Sequence, residues 1–336
     1  MKKYYFITID TEEDEWGSIG IRKPSVKNIS HLKKLQEIFD KYGAIPTYLI
    51  NYPVATDSTS RRVIEDLLGT GRCEIGTHCH SWNTPPFVKE QSKFNSFLSN
   101  LPQDLVEEKL SVLHEVIKNN FGINSVVFRA GRWGFGKEVL NTIVKLNYKV
   151  DTSITPFCSW VKEHGPDYKC KETSSFYLNH QHFGVPLGRD VGKVLEIPPT
   201  MGYLQKNEIF CDKVRKILIA SPIKHLKFNG IIDSVGVINY RWLSPEVSTS
   251  DEMIRLANTR FEKGNNFVNM FFHSNTLMIG QTPFVLNTSD LNRFYRRIES
   301  FLQYSIENNI KSVGLSHGIN LLSQKKQTVK GHVFAQ

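Results

Sequence analysis

The chain has 336 residues, 40% of them hydrophobic and 22% charged, enough apolar material for one large α/β domain and too little bias for a disordered or fibrous chain. Its formal charge of +9 admits an anionic partner. With no dense Lys/Arg run, only pairs such as Arg296–Arg297 and Lys325–Lys326, the charge excludes an obvious nucleic-acid binder and favours an anionic substrate only weakly.

The segment MKKYYFITID runs directly into a strand pattern, with no apolar leader, and no run of 18 apolar residues follows anywhere, so a soluble, cytoplasmic protein is expected. Tyr4–Ile9 reads as the first strand, ending in Asp10. Asn28–Tyr42 has helical spacing through Leu32, Leu35, Ile38 and Phe39, with Gly43 as its stop. Pro46–Tyr52 predicts a strand, Arg61–Leu68 a helix, Cys73–His80 a strand, Ser81–Pro102 a long loop and Asp104–Asn120 a helix. Ser125–Phe128, Tyr148–Ile154, Val194–Ile197, Phe267–Phe272 and Ser312–Leu315 continue the strands; Lys137–Leu146, Asp251–Lys263 and Leu291–Asn308 continue the helices. Repeated β-then-α units imply a parallel sheet with covering helices, and seven or eight of them suggest a (β/α) barrel. The expected organisation is one barrel domain over residues 1–325, with insertions at about 156–192 and 200–250 and a tail at 326–336. The five cysteines, Cys73, Cys79, Cys158, Cys170 and Cys211, are odd in number and contain no CxxC, which argues against a disulfide framework or a zinc ribbon.

Polar residues close the proposed strands: Asp10, His78 and His80, Arg129, Asp151, Glu196 and His273. In a (β/α) barrel those ends converge on one face, where active sites lie.

Five motifs carry chemistry. In Ile9-Asp10-Thr11-Glu12-Glu13-Asp14-Glu15, two carboxylates two positions apart can divide the work of metal binding and proton acceptance. Asp10 directly follows an apolar strand and needs a partner, whereas Asp14 and Glu15 read as a solvated turn. In Thr77-His78-Cys79-His80, strand alternation puts both imidazoles on one face, as a divalent-metal site with a carboxylate requires; two partly exposed loop histidines are the equal alternative. In Phe128-Arg129-Ala130-Gly131-Arg132-Trp133-Gly134, Arg129 can pair with a carboxylate and hold it ionised, while Arg132 stays undecided. Asp151, in Val150-Asp151-Thr152-Ser153, either orients His273 as a general acid or caps a turn. His273, in Phe271-Phe272-His273-Ser274-Asn275, gains functional weight from its place opposite Asp10 and His78. Glu196 either lines the pocket or is a structural carboxylate before the Pro198-Pro199 turn.

In this order and placement, from Asp10 to about Leu315, the motifs resemble those of the polysaccharide deacetylase (NodB-homology, carbohydrate esterase 4) family. The resemblance implies a distorted (β/α) barrel of seven or eight units and removal of N- or O-acetyl groups from sugars with zinc or another divalent metal. Carried over residue by residue, Asp10 is the base, Arg129 its partner, His273 the acid and Asp151 the motif-four aspartate. The position after Asp10 is Thr11 rather than the usual metal-binding Asp, which makes Glu12 the candidate metal carboxylate, with His78 the first histidine. The second histidine of the family lies four positions on, where this chain has Trp82, so His80 is the replacement candidate. The expected substrate is a sugar or glycan intermediate, anionic if charge guides it, in making a surface glycan. The rivals are a metal-independent hydrolase of a cyclic amide or ureide and a non-catalytic glycan-binding protein.

Overall fold

A computed structural model describes residues 2–17, 19–20, 24–88, 91–168, 170–178, 194–220 and 238–322. The expected tail at 326–336, and parts of both expected insertions, lie outside the described residues.

The first unit shows how the pattern folds. β1 (Tyr4–Thr11) is buried on both faces, as a parallel strand covered by helices should be. Its odd-numbered residues Tyr5, Ile7 and Ile9 pack outward against α1 (Leu32–Lys41), which buries Leu32, Leu35 and Phe39 at helical spacing. Phe6 belongs to a second, inner cluster, and Thr8 and Asp10 follow it along the same face. β2 (Pro46–Ile50) is followed by the short α2 (Tyr52–Thr56) and by α3 (Ser58–Gly69), which starts where Asp57 accepts from Thr59 N and Ser60 N. β3 (Glu74–Cys79) leads through the long loop to α4 (Gln103–Phe121), whose Val106, Leu110, Leu113 and Ile117 are buried and whose end is the left-handed Gly122. β4 (Val127–Ala130), α5 (Lys137–Lys145) and β5 (Val150–Asp151) complete this half.

β6 (Phe176–Tyr177), β8 (Met201–Tyr203), α6 (Glu208–Ala220) and β9 (Tyr240–Trp242) come from the stretches expected to be insertions, and β7 (Leu195–Glu196) lies within the expected strand Val194–Ile197. α7 (Ser250–Glu262) opens with a capping box between Thr249 and Glu252, and β10 (Phe267–His273), α8 (Thr288–Glu307), β11 (Lys311–Ser312) and α9 (Gly318–Leu322) follow.

The sheet order is β10-β1-β2-β3-β4-β5-β7-β6, parallel except for β6, with β11 on the start of β1; β8 and β9 form a separate antiparallel pair. The sheet curls into the distorted barrel expected. Among the described residues the ladder does not run from β7 to β10. Single bonds bridge that gap: Thr200 N to Asn269 O (3.0 Å), Leu243 N to Thr200 O (2.8 Å) and Phe271 N to Leu243 O (3.1 Å). The inner face is layered. An apolar floor of Phe6, Leu49, Val127, Val150, Leu195 and Phe267 lies beneath a polar layer of Thr8, Thr152, Asn269 and Arg129. Above it, register neighbours Asp10↔His273 and His78↔Arg129 form the rim. No helix of the described residues is long and apolar enough to cross a membrane.

Candidate active site

Arg129 is fully buried, and each of its three side-chain nitrogens donates. Nη1 donates to Asp10 Oδ1 (2.6 Å), Nη2 to Thr8 Oγ1 (2.7 Å) and Thr152 Oγ1 (3.2 Å), and Nε to Thr152 O (3.0 Å). Burial alone would raise the Asp10 carboxyl. Arg129 first, then His78 and His273, outweigh that and hold it below the ordinary carboxylate range.

His78, His80 and Glu12 meet beside it. Their ligand atoms lie within 4.8 Å of one another, and all three residues are buried. His78 Nδ1 faces Arg129 O at 3.2 Å; since a carbonyl only accepts, that nitrogen carries the hydrogen and Nε2 keeps its lone pair. His78 Nε2 lies 2.9 Å from His80 Nε2, which lies 2.8 Å from Glu12 Oε2, and His78 Nε2 is 3.5 Å from the same oxygen. Three ligands each about 2.1 Å from one ion, at right angles, lie ~3 Å apart, so the donor set fits a divalent cation. Burial pushes Glu12 up, but the adjoining His78 and His80 imidazoles carry it well below the usual carboxylate range. Gly131 makes room for the cluster: a Cβ there would fall 2.4 Å from His80 Nδ1 and 2.7 Å from Cys79 O. The next two residues, Arg132 and Trp133, hold left-handed backbone at φ 55° and 60°, a strained turn of the kind found beside functional sites.

The acidic run is less solvated than its composition suggests. Asp14 is buried and accepts from Lys27 N (3.0 Å) and Asn28 N (2.8 Å), which corrects the expectation of a solvated turn there; Glu15 is exposed as expected. Glu13 is also buried. It accepts from Asn51, from Trp82 Nε1 (3.1 Å) and from Asn83 Nδ2 (2.9 Å), and Trp82 in turn lies on the His80 ring at 4.1 Å. Position 82 thus braces His80 from behind. The long loop that carries it is pinned by buried Lys109, whose ammonium donates to Ser81 O (2.8 Å), Thr84 O (2.7 Å) and Pro86 O (2.6 Å). Arg132, undecided in the sequence, reaches outward to Ser96 Oγ (2.6 Å) and the Phe97 ring.

His273 stands across the rim with Nε2 3.6 Å from Asp10 Oδ2, and the exposed indole of Trp16 meets its ring edge-on at 4.4 Å. Its carboxylate neighbour is not Asp151. Glu246 takes that place, with both oxygens 3.1 Å from His273 Nδ1. Burial pushes the imidazole down, and Glu246, Glu12 and Asp10 together bring it up to about 9. Asp151 is committed elsewhere, to Ser153 N (3.1 Å) and Ser153 Oγ (2.8 Å), and it is the register partner of Glu196. Glu196 is fully buried and accepts from Ile154 N (3.1 Å), so it is a structural carboxyl rather than a pocket wall. Glu246 escaped the sequence reading because no periodicity marks Ser244-Pro245-Glu246. Its only local signal is a carboxylate beside a proline in a stretch expected to be an insertion.

No protein-family model matches the sequence, and no curated protein matches it. Solved structures do. A Parabacteroides distasonis protein named as a candidate glycoside hydrolase/deacetylase aligns over 97% of this chain and 73% of its own, at 13% identity and a TM-score of 0.62. A Mycobacterium smegmatis protein named as a candidate polysaccharide deacetylase aligns over 100% of this chain and 96% of its own, at 13% identity and a TM-score of 0.53. At that identity the likeness is one of fold, and the fold of this chain is that of the NodB-type deacetylases.

Proposed function

We propose that the chain is a metal-dependent deacetylase that hydrolyses the N-acetyl (or O-acetyl) group of a sugar or glycan intermediate. The observation that carries this reading is the meeting, on one rim, of the Glu12–His78–His80 donor set, the Arg129-paired Asp10 and His273.

Glu12, His78 and His80 would hold the ion, which supplies Lewis acidity toward the acyl carbonyl and makes bound water a better nucleophile near neutral pH. Asp10 accepts the proton of the attacking water, and Arg129 keeps it ionised and aimed. His273 protonates the leaving nitrogen or oxygen as the C–N or C–O bond breaks. Water and the acyl sugar leave as acetate and the free amine or alcohol. The buried rim limits competing water around these groups. The +9 charge favours an anionic sugar conjugate, and a cytoplasmic surface-glycan intermediate is the substrate class proposed.

The metal-independent rival drew on the tryptophan at position 82. His80 Nε2 beside Glu12 weakens that motive, since a second imidazole is supplied two residues earlier.

The test is metal content of the purified protein by mass spectrometry, with His78→Ala and His80→Ala beside it, followed by acetate release from acetylated amino sugars. Near-stoichiometric metal lost in both variants, with metal-dependent acetate release by the parent, is the expected result. Full turnover after exhaustive chelation would favour the cyclic-amide reading, and tight sugar binding without turnover the binding protein.

A further inference from the structure

We infer that Glu246, supplied from outside the repeated strand–helix units, is the positioning residue that fixes the hydrogen and the direction of the His273 imidazole. This rests on the deacetylase reading and assigns to Glu246 the task that strand order would give to Asp151.

The argument begins with what a carboxylate can do. It only accepts, so the His273 nitrogen that sits 3.1 Å from both Glu246 oxygens must be the one that donates. Nδ1 therefore keeps its hydrogen in either charge state. Nε2 is left as the nitrogen that gains or gives up a proton, and it points across the rim toward Asp10 Oδ2 at 3.6 Å. A ring rotated by half a turn would present Nδ1 to the substrate and strand Nε2 against the acid.

Glu246 is itself fixed on all sides. Its Oε1 also accepts from His273 N (3.0 Å) and from Thr276 Oγ1 (2.6 Å), so both backbone and ring of His273 are tied to one carboxylate. The chain before it is anchored by the Leu243 bonds to Thr200 O and from Phe271 N. Pro245 O accepts from Arg297 Nη1 (2.8 Å) on α8, and Ser248 N bonds back to Ser244 O (3.1 Å). Contacts from Thr200, from Phe271 on β10 and from Arg297 on α8 thus hold the six-residue segment 243–248 that carries Glu246 to His273. The charged groups facing the ring are Glu246, Asp10 and Glu12, and of these Glu246 alone contacts Nδ1. Asp151 is instead taken up by Ser153 N and Oγ.

The inference is tested in the resting protein and in turnover, with Glu246→Gln, Glu246→Asp and Asp151→Asn. By proton NMR, the parent should show a downfield imidazole N–H signal for His273, assigned by its loss in His273→Gln. Glu246→Gln should move that signal upfield or broaden it away; Asp151→Asn should leave it in place. In turnover on an acetylated amino sugar, Glu246→Gln should lower kcat by roughly 10–100-fold with little change in KM. The alkaline limb of the kcat profile should shift to lower pH, and Glu246→Asp should recover part of the loss. A signal unmoved in Glu246→Gln, a signal abolished in Asp151→Asn, or a rise in KM alone would overturn the assignment. If the parent hydrolyses no acetylated sugar, the NMR comparison still decides the role of Glu246, and only the deacetylase reading falls.

Discussion

Two pairs of buried carboxyls lie at strand ends in this molecule, and they are opposites. Asp10 and Glu12, on and just past the end of β1, are surrounded by donors and cations: Arg129, His78, His80 and His273. Asp151 and Glu196, adjacent in register on β5 and β7, are as deeply buried, and their strongest polar neighbours are each other. The first pair is held low and stays ionised. In the second, burial raises both groups, and the neighbouring Asp151 carboxylate pushes Glu196 up further. The proton the pair retains belongs on Glu196, the carboxyl raised the further: Asp151 already receives two hydrogen bonds from Ser153, whereas Glu196 Oε2 accepts none among the described residues. Residue type and depth are the same in both places; the neighbours decide the charge, and with it whether a strand-end carboxyl serves chemistry or architecture.

The most severe way to break this contrast is Asp10→Asn. It leaves Arg129 an acceptor and removes the base, so turnover should fall by ~10²–10⁴-fold with the circular dichroism spectrum intact. Acetate release near the parent rate would remove Asp10 from the mechanism. A smaller effect is expected from Gly131→Ala. The new methyl would force His80 away from Glu12 while leaving Asp151 and Glu196 untouched, and zinc affinity should drop by roughly 10–100-fold in a competition titration. Unchanged affinity would mean that His80 is not needed as a ligand.

The smallest effect sharpens the other side. Because Glu196 is raised on folding, the native chain holds a proton that the unfolded chain releases above about pH 4.3. Its contribution therefore falls as pH rises. Glu196→Gln supplies a permanent N–H in place of that proton, so the variant should equal or exceed the parent at pH 8, by about 1 kcal/mol in urea melts, and lose part of the alkaline slope. Asp10 has the reverse sign: lowered in the native state, it stabilises above its unfolded range and fails as acid is added. A strongly destabilised Glu196→Gln would show that the pair is not proton-sharing.

The same contrast explains what the sequence made legible. Tyr4–Ile9 and Cys73–His80 are long enough to be read as strands, so Asp10 at a strand end and the His78/His80 pair on one face were legible in the sequence. Helices α1, α4, α7 and α8 were visible from spacing and stop residues, with ends displaced by a few positions. β5 and β7, of two residues each, fell within the expected strands Tyr148–Ile154 and Val194–Ile197, but β6, also of two residues, and β8 and β9, of three, were not marked. Strands so short carry no period; they exist because neighbours offer them ladder bonds. Glu246 is the extreme case. It lies on irregular backbone set by bonds to Thr200, Phe271 and Arg297, contacts that are distant in the chain and leave no local mark. Asp151, on a strand end and of the right type, was the natural but misplaced candidate for the partner of His273.

Lys109 makes one further demand on the molecule. Its ammonium is enclosed by three carbonyls of the loop that bears Trp82, and it stands in the middle of α4. Lifting that loop would leave a cation without partners inside the protein, so the loop cannot swing as an independent flap. Its amides should therefore exchange with solvent no faster than those of the helix beneath it, and the wall behind His80 should open only when α4 itself unravels.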